Sequence, residues 1–149
     1  MSQAFLMGLD LGGGSARCLL LEIASGRVVS AARRFTPHAP PDVPMGSVFD
    51  AEPTWALLAE AAREARERAG ASPAEVLGIA ATGMRHGSVL LDAKGHVLLA
   101  TPNRDARGLG AALDLAASHG EALHRRTGHW PNPVQPAVRL VNALWLVRF

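Results

Sequence analysis

A chain of 149 residues, 48% of them hydrophobic, carries enough apolar material for a globular core. Charged residues make up 19% and the net charge is only +2, which excludes a polyelectrolyte tail and argues against nucleic-acid binding, despite a sequence pI near 9.5. Lys94 is the only lysine, so a phosphate loop with its own lysine is excluded; a single cysteine, Cys18, leaves neither an intramolecular disulfide nor a cysteine cluster for zinc. Cys18, followed by Leu19, Leu20 and Leu21, reads as a small core residue, and cysteine usage points to a reducing, cytoplasmic setting. No stretch approaches the roughly 18 apolar residues of a membrane helix, and the N-terminus lacks a basic signal-peptide region, so no membrane partner is expected.

The first element is an apolar run from Phe5 to Leu11, short enough for a buried strand, with Asp10 near its end and Gly12, Gly13 and Gly14 just after it. A second apolar run, Arg17 to Ile23, follows too soon for a parallel crossover, so the two are expected to pair antiparallel. Ser25-Gly26 signals another turn, and Arg27 to Phe35 reads as a third strand of the same meander. The glycines therefore belong to a hairpin and not to the helix-opening loop of a Rossmann or P-loop unit. Pro37, Pro40, Pro41, Pro44 and Gly46 make residues 36–47 a surface excursion.

Asp50 and Pro53 mark a helix start, with Trp55, Leu58, Ala62, Ala65 and Ala69 on one face and Arg63, Glu64, Glu67 and Arg68 on a solvated one. Gly70 ends it, and Ser72-Pro73-Ala74-Glu75 has the form of a capping box before a strand at Val76 to Ala81, reached by this helical crossover. Ser88 to Asp92 and His96 to Ala100 read as a hairpin. Thr82, Arg85 and His86 lie just beyond a strand's carboxyl end, where open α/β sheets read polar ligands. A second polar cluster, Asn103 to Arg107, precedes a helical pattern of Leu109, Ala112, Leu113 and Ala116. Taken alone, Asp105 there reads equally as a helix N-cap and Arg107 as a solvated first-turn residue. Val138 to Phe149 is an apolar helical pattern that includes Val141, Leu144, Trp145 and Val147 and stops without a cap; the expectation is a chain cut within a helix.

The motifs of this chain, in order and spacing, resemble the N-terminal part of the FGGY family of carbohydrate kinases. Gly8-Leu9-Asp10-Leu11-Gly12-Gly13-Gly14-Ser15-Ala16-Arg17 resembles that family's first phosphate motif, with Gly13 and Gly14 standing where a threonine pair is common. Gly83-Met84-Arg85-His86-Gly87, with Asp92, resembles its sugar-contacting turn, mixing the Gln-Met-His-Gly of the xylulokinase group with the Met-Arg-Glu-Gly of the autoinducer-2 kinase branch. Asp105-Ala106-Arg107 resembles the Asp-x-Arg that follows, and Thr127-Gly128 and Leu144-Trp145-Leu146 fit the later helical segment.

The resemblance implies an α/β, ribonuclease-H-like (actin-like ATPase) fold with a mixed sheet opening in an antiparallel three-stranded meander. It implies residues 1–149 as the N-terminal portion of the first kinase domain, with the ATP-binding C-terminal domain and the catalytic base beyond Phe149. No catalytic residue is then expected within the chain, which should not turn over by itself. ATP and Mg²⁺ are the implied cofactors, bound by Asp10, Gly12, Gly13, Gly14, Ser15 and Arg17, with Asp10 serving the metal; a turn aspartate capping its own loop is the alternative for Asp10. Met84, Arg85, His86, Asp105 and Arg107 are the implied readers of a sugar or polyol, since guanidinium and carboxylate groups make directional bonds to hydroxyls.

A lone histidine in a turn is as readily solvated as functional, which applies to His86; His38, His96, His119, His124 and His129 show no ligand spacing and read as surface. Trp55, Trp130 and Trp145 read as packing residues, Trp130 being the one in a loop that could face a ligand. Two other classes stay open: a non-catalytic half domain that binds a sugar or a protein partner, and another actin-like phosphotransferase that shares the hairpin alone. A homodimer is kept as a possible assembly.

Overall fold

A computed structural model describes residues 3–138. The expected helical pattern through Val141, Leu144, Trp145 and Val147 lies outside the described residues. The chain divides into two compact units: one from the start of the chain to Thr36 together with Asp50–Met84, the other from Pro37–Phe49 together with the chain from Arg85 onward.

The first unit is a sheet with one helix. Strands β1 (Phe5–Leu11), β2 (Ser15–Glu22) and β3 (Val28–Arg34) form the expected antiparallel meander; helix α1 (Ala51–Ala69) then returns the chain to β4 (Val76–Gly83), which pairs parallel to β1. The sheet order is β3-β2-β1-β4. Period-2 alternation decides which side chains meet the helix: Phe5, Cys18, Leu20 and Ala31 point one way and are buried with Ala61, Ala65 and Ala69 of α1. Ala61 and Ala65 are 0% exposed, so small side chains let the helix lie close against the strands.

The buried stripe of α1 runs Thr54, Leu58, Ala61, Ala65 and Ala69, one residue out of phase with the expected face at its start, and Trp55 is 67% exposed. Thr54, 3% exposed, takes the buried place expected of Trp55. Flanking the stripe, Arg33 of β3 pairs with Glu64 at 2.6 Å and Glu60 at 3.4 Å. The Arg33 guanidinium, through a hydrogen bond and its charge, holds the Glu64 carboxyl below its ordinary range. Gly70 closes the helix at φ 70°, a left-handed conformation, with its N–H on the Glu67 carbonyl and that of Ala71 on Arg66. The Ser72 N–H donates to Glu75 at 2.7 Å, the reciprocal half of the expected capping box, within a 3-10 turn over Pro73–Glu75.

The second unit holds the hairpin β5 (Ser88–Leu91) and β6 (Val97–Thr101) and helix α2 (Leu109–Thr127). The Asp92 carboxylate shapes the hairpin turn by accepting the N–H groups of Lys94 and His96, each at 2.8 Å. The proline-rich stretch belongs to this unit and is more than the surface excursion its prolines suggest. His38 and Val48 form an antiparallel bridge, the Phe49 N–H donates to Ala100 at 3.1 Å, and Pro37, Ser47 and Phe49 are buried. Proline removes donors from a segment but leaves its neighbours free to pair, and here they pair.

Candidate functional site

In the first unit the site is the tip of the β1–β2 hairpin. Asp10 sits one residue before the end of β1, in register with Arg17 of β2 on one side and Thr82 of β4 on the other. The turn is tight: the Gly12 N–H donates to the Ser15 carbonyl at 2.9 Å, and the Phe35 N–H reaches Gly14 at 3.2 Å. Arg17 bends back, its Nε donating to Ser15 Oγ at 3.1 Å while its Nη1 stands 3.7 Å from Asp10 Oδ2. With side chains 40% and 62% exposed, Asp10 and Arg17 form a loose, hydrated pair, and the carboxylate keeps room for another cation. The Met84 N–H donates to the Leu11 carbonyl at 2.7 Å, tying the end of β4 to the end of β1.

Below the tip, the sheet face away from α1 carries a cavity of about 450 Å³. Its walls include Gly8, Leu19 and Ala80, and its rim carries Asp10, Arg17 and Thr82. An apolar floor with a carboxylate and a guanidinium at one end suits a ligand with a charged head. Asp10 is one hard oxygen donor, and among the described residues no group of three or more His, Cys, Asp and Glu gathers. Such a donor set fits a magnesium ion that keeps its waters and shares phosphate oxygens, and does not fit an all-protein cage.

In the second unit Arg85 is exposed and His86 half-buried, with His86 at φ 65°. A left-handed histidine between Arg85 and Gly87 is backbone strain that the surrounding turn must hold, and such strain gathers at ligand-binding turns. The expected reader Asp105 is in a different situation. Its side chain is 0% exposed; Oδ2 accepts the Ser47 N–H at 2.8 Å, and both oxygens accept Arg107 Nε, at 3.0 and 2.9 Å. Arg107 Nη2 stands 2.8 Å from Oδ2, with the arginine side chain only 11% exposed.

The N-cap reading of Asp105, made from its neighbours, does not survive this geometry. It does not cap α2, whose N-cap is Gly108; its fully buried carboxylate accepts from the Ser47 amide and the Arg107 guanidinium instead. Arg107 is correspondingly a half-buried partner and not a solvated first-turn residue. The partner that local reading missed is Ser47, whose amide reaches Asp105 across 58 residues of sequence; no spacing rule carries that signal.

The predicted residues thus fall into two groups: Asp10, Gly12, Gly13, Gly14, Ser15 and Arg17, with the Met84 amide, in one unit, and Arg85, His86, Asp105 and Arg107 in the other. All of His38, His96, His119, His124 and His129 are exposed, as expected. His124 has a specific neighbour in Trp130, whose ring stacks on it at 5.5 Å and lies against Gly120, where any Cβ would meet the indole at 2.2 Å. Trp130 is therefore packed on α2, while 53% of it stays exposed.

The autoinducer-2 kinase of Escherichia coli K12 is 31% identical over 145 residues, covering 97% of this chain and 27% of the relative. A solved xyloylose kinase from Brucella ovis superposes with a TM-score of 0.80 at 29% identity, covering 97% of this chain and 29% of that one. Plasmodium falciparum glycerol kinase with ADP superposes at 0.74 with 15% identity, over 98% of this chain and 29% of that one, a likeness of fold. The chain thus spans less than a third of the length of these relatives. These neighbours are sugar kinases of the actin-like ATPase fold, which the mixed sheet with its antiparallel opening matches. Residues 5–148 match the N-terminal domain of the FGGY family of carbohydrate kinases, and the chain belongs to that family.

Proposed function

We propose that this chain supplies the first phosphate and magnesium loop, and part of the sugar site, of a cytoplasmic kinase that transfers the γ-phosphoryl group of ATP to a hydroxyl of a pentulose or related polyol. The observation that carries this reading is Asp10: a carboxylate at the carboxyl end of β1, part open to solvent, beside a hairpin tip of glycines. Phosphoryl transfer is mostly a matter of positioning and charge, so its first requirement is a place to hold phosphate oxygens and their cation. Asp10 would hold Mg²⁺ through water, and residues 12–15 with Arg17 would orient the phosphate chain. ATP, when bound, supplies the phosphoryl group.

For the acceptor, Arg85 offers an exposed planar donor, His86 a ring set by its strained backbone, and Met84 an apolar contact at the end of β4. Arg107, held by Asp105, is a further guanidinium that the Asp-x-Arg resemblance assigns to the sugar. The proton acceptor for the sugar hydroxyl is expected beyond Phe149, so residues 1–149 should show no turnover by themselves. Kinase activity of the full-length protein, tested with ATP against pentuloses, polyols and the autoinducer-2 precursor, decides the reading; phosphorylation of none would overturn it. Activity of residues 1–149 above background would overturn the assignment of the base.

A second reading, an autoinducer-2-type substrate, is favoured by the Met84-Arg85-His86-Gly87 and Asp105-Ala106-Arg107 pairing and by the 31% identity to autoinducer-2 kinase. In the same panel, preference for that precursor over the pentuloses would select it. Binding of a sugar by the full-length protein without phosphorylation would point instead to a non-catalytic sugar-binding module.

A further inference from the structure

The residue that departs most from expectation is Asp105, and its surroundings give it a specific task. We infer that Asp105 is a positioning residue: it holds Arg107 and residues 45–47 of the proline-rich loop in one arrangement and does not itself touch the substrate. The functional half of this inference rests on the sugar-kinase reading; the structural half does not.

The case is built from contacts within the second unit. Asp105 accepts the Ser47 N–H at 2.8 Å and Arg107 Nε at 3.0 and 2.9 Å, with Arg107 Nη2 2.8 Å from its Oδ2, and is fully buried in doing so. Next to it, the Ala106 N–H donates to the Met45 carbonyl at 3.0 Å. Adjacent residues of the Asp-Ala-Arg turn therefore grip residues 45 and 47 of the loop from both sides.

Gly46 between them has no room for a side chain, since a Cβ would lie 2.8 Å from Val43 Cγ1 and 2.9 Å from the Val43 carbonyl. Met45 is held left-handed at φ 59° and is 58% exposed. Backbone strain of this kind persists only where the surroundings over-determine it, and here the surroundings are the Asp105 turn. A buried carboxylate that binds both a guanidinium and a backbone amide fixes its partners' direction, because moving either leaves a charge unpaired out of water. Arg107 can then meet a substrate in one orientation only, and Met45 is presented beside the same turn.

The test uses the full-length protein and the sugar it phosphorylates best. Asp105→Asn and Arg107→Ala should each raise the KM for the sugar by about tenfold or more with the KM for ATP unchanged, and the double variant should be no worse than Arg107→Ala alone. Multiplying effects in the double variant, or an unchanged KM in Asp105→Asn, would overturn the inference. Hydrogen exchange supplies a readout that needs no substrate: Asp105→Asn should speed exchange at the Ser47 amide by about tenfold and leave the β1–β2 amides unchanged. Should Asp105→Asn fail to fold, Gly46→Ala leaves both charges in place; it should speed exchange at Ser47 and Ala106 and raise the sugar KM. Unaltered exchange and KM in Gly46→Ala would also overturn the inference. If the wild-type protein phosphorylates no sugar, the kinase reading fails while the exchange measurements still decide what Asp105 holds.

Discussion

Each unit contains one aspartate–arginine pair singled out from the sequence, and the two pairs are built for different work. Asp10 and Arg17 face each other across an antiparallel register at 3.7 Å, both part exposed; Asp105 and Arg107 lie two residues apart in one turn at 2.8 Å, the carboxylate fully buried. A loose pair in water is worth little to stability, and its carboxylate exchanges partners easily. A buried pair has already lost its hydration, so its partners are fixed and removing one leaves a stranded charge. The same residue types therefore give an open group suited to a cation and phosphate, and a closed one suited to holding other residues in place.

Removing each pair in turn should widen this contrast. Asp105→Ala should cost about 3–5 kcal/mol in unfolding free energy, because the Ser47 amide and the Arg107 guanidinium both lose their partner inside the protein. Urea unfolding measures it, and a loss below about 1 kcal/mol would mean the two pairs are alike after all. Gly46→Ala should cost about 1–3 kcal/mol by forcing Val43 away from the gripped loop, read from the same urea curves. Arg17→Ala should cost less than about 1 kcal/mol, as expected of an exposed pair, and a larger loss would make the hairpin tip a structural element.

Asp10→Asn should be nearly neutral in thermal unfolding, yet lower phosphoryl transfer by the full-length protein by about a hundredfold or more, measured as kcat at saturating sugar. The smallest effect concerns a third carboxylate, exposed like Asp10 but tied like Asp105. The His96 backbone N–H, then its ring, holds the Asp92 carboxyl below its ordinary range. A depressed folded value stabilises the hairpin fully above the unfolded pKa of about 3.9, and that contribution disappears as pH falls through the folded value. Hydrogen exchange at the β5–β6 turn between pH 6 and pH 3 should show the loss, and Asp92→Asn should abolish its pH dependence.

Much of the first unit was legible in the sequence because its determinants are local. The Gly12–Gly14 turn, the short connections and the Gly70 stop specify a meander and a crossover helix, and the strands β1 to β4 run within a residue or two of their expected bounds. The same local rules failed at Trp55. A helical period places a stripe but not its phase, and the buried stripe of α1 starts at Thr54 and runs through Ala61 and Ala65. Trp130 was read as the one tryptophan able to face a ligand; its seat on Gly120 and His124 depends on a glycine that looks unremarkable inside a helical pattern.

By itself, the sequence determined the hairpin, the absence of a phosphate-loop lysine, the polar turn after β4 and the family to which these motifs belong. Each of these is carried by neighbouring residues whose chemistry or conformational freedom acts over a few positions. Only the tertiary structure decided that Asp10 stays open while Asp105 is closed. Burial is a property of everything that packs around a group, and the amide that closes Asp105 comes from a proline-rich loop 58 residues away.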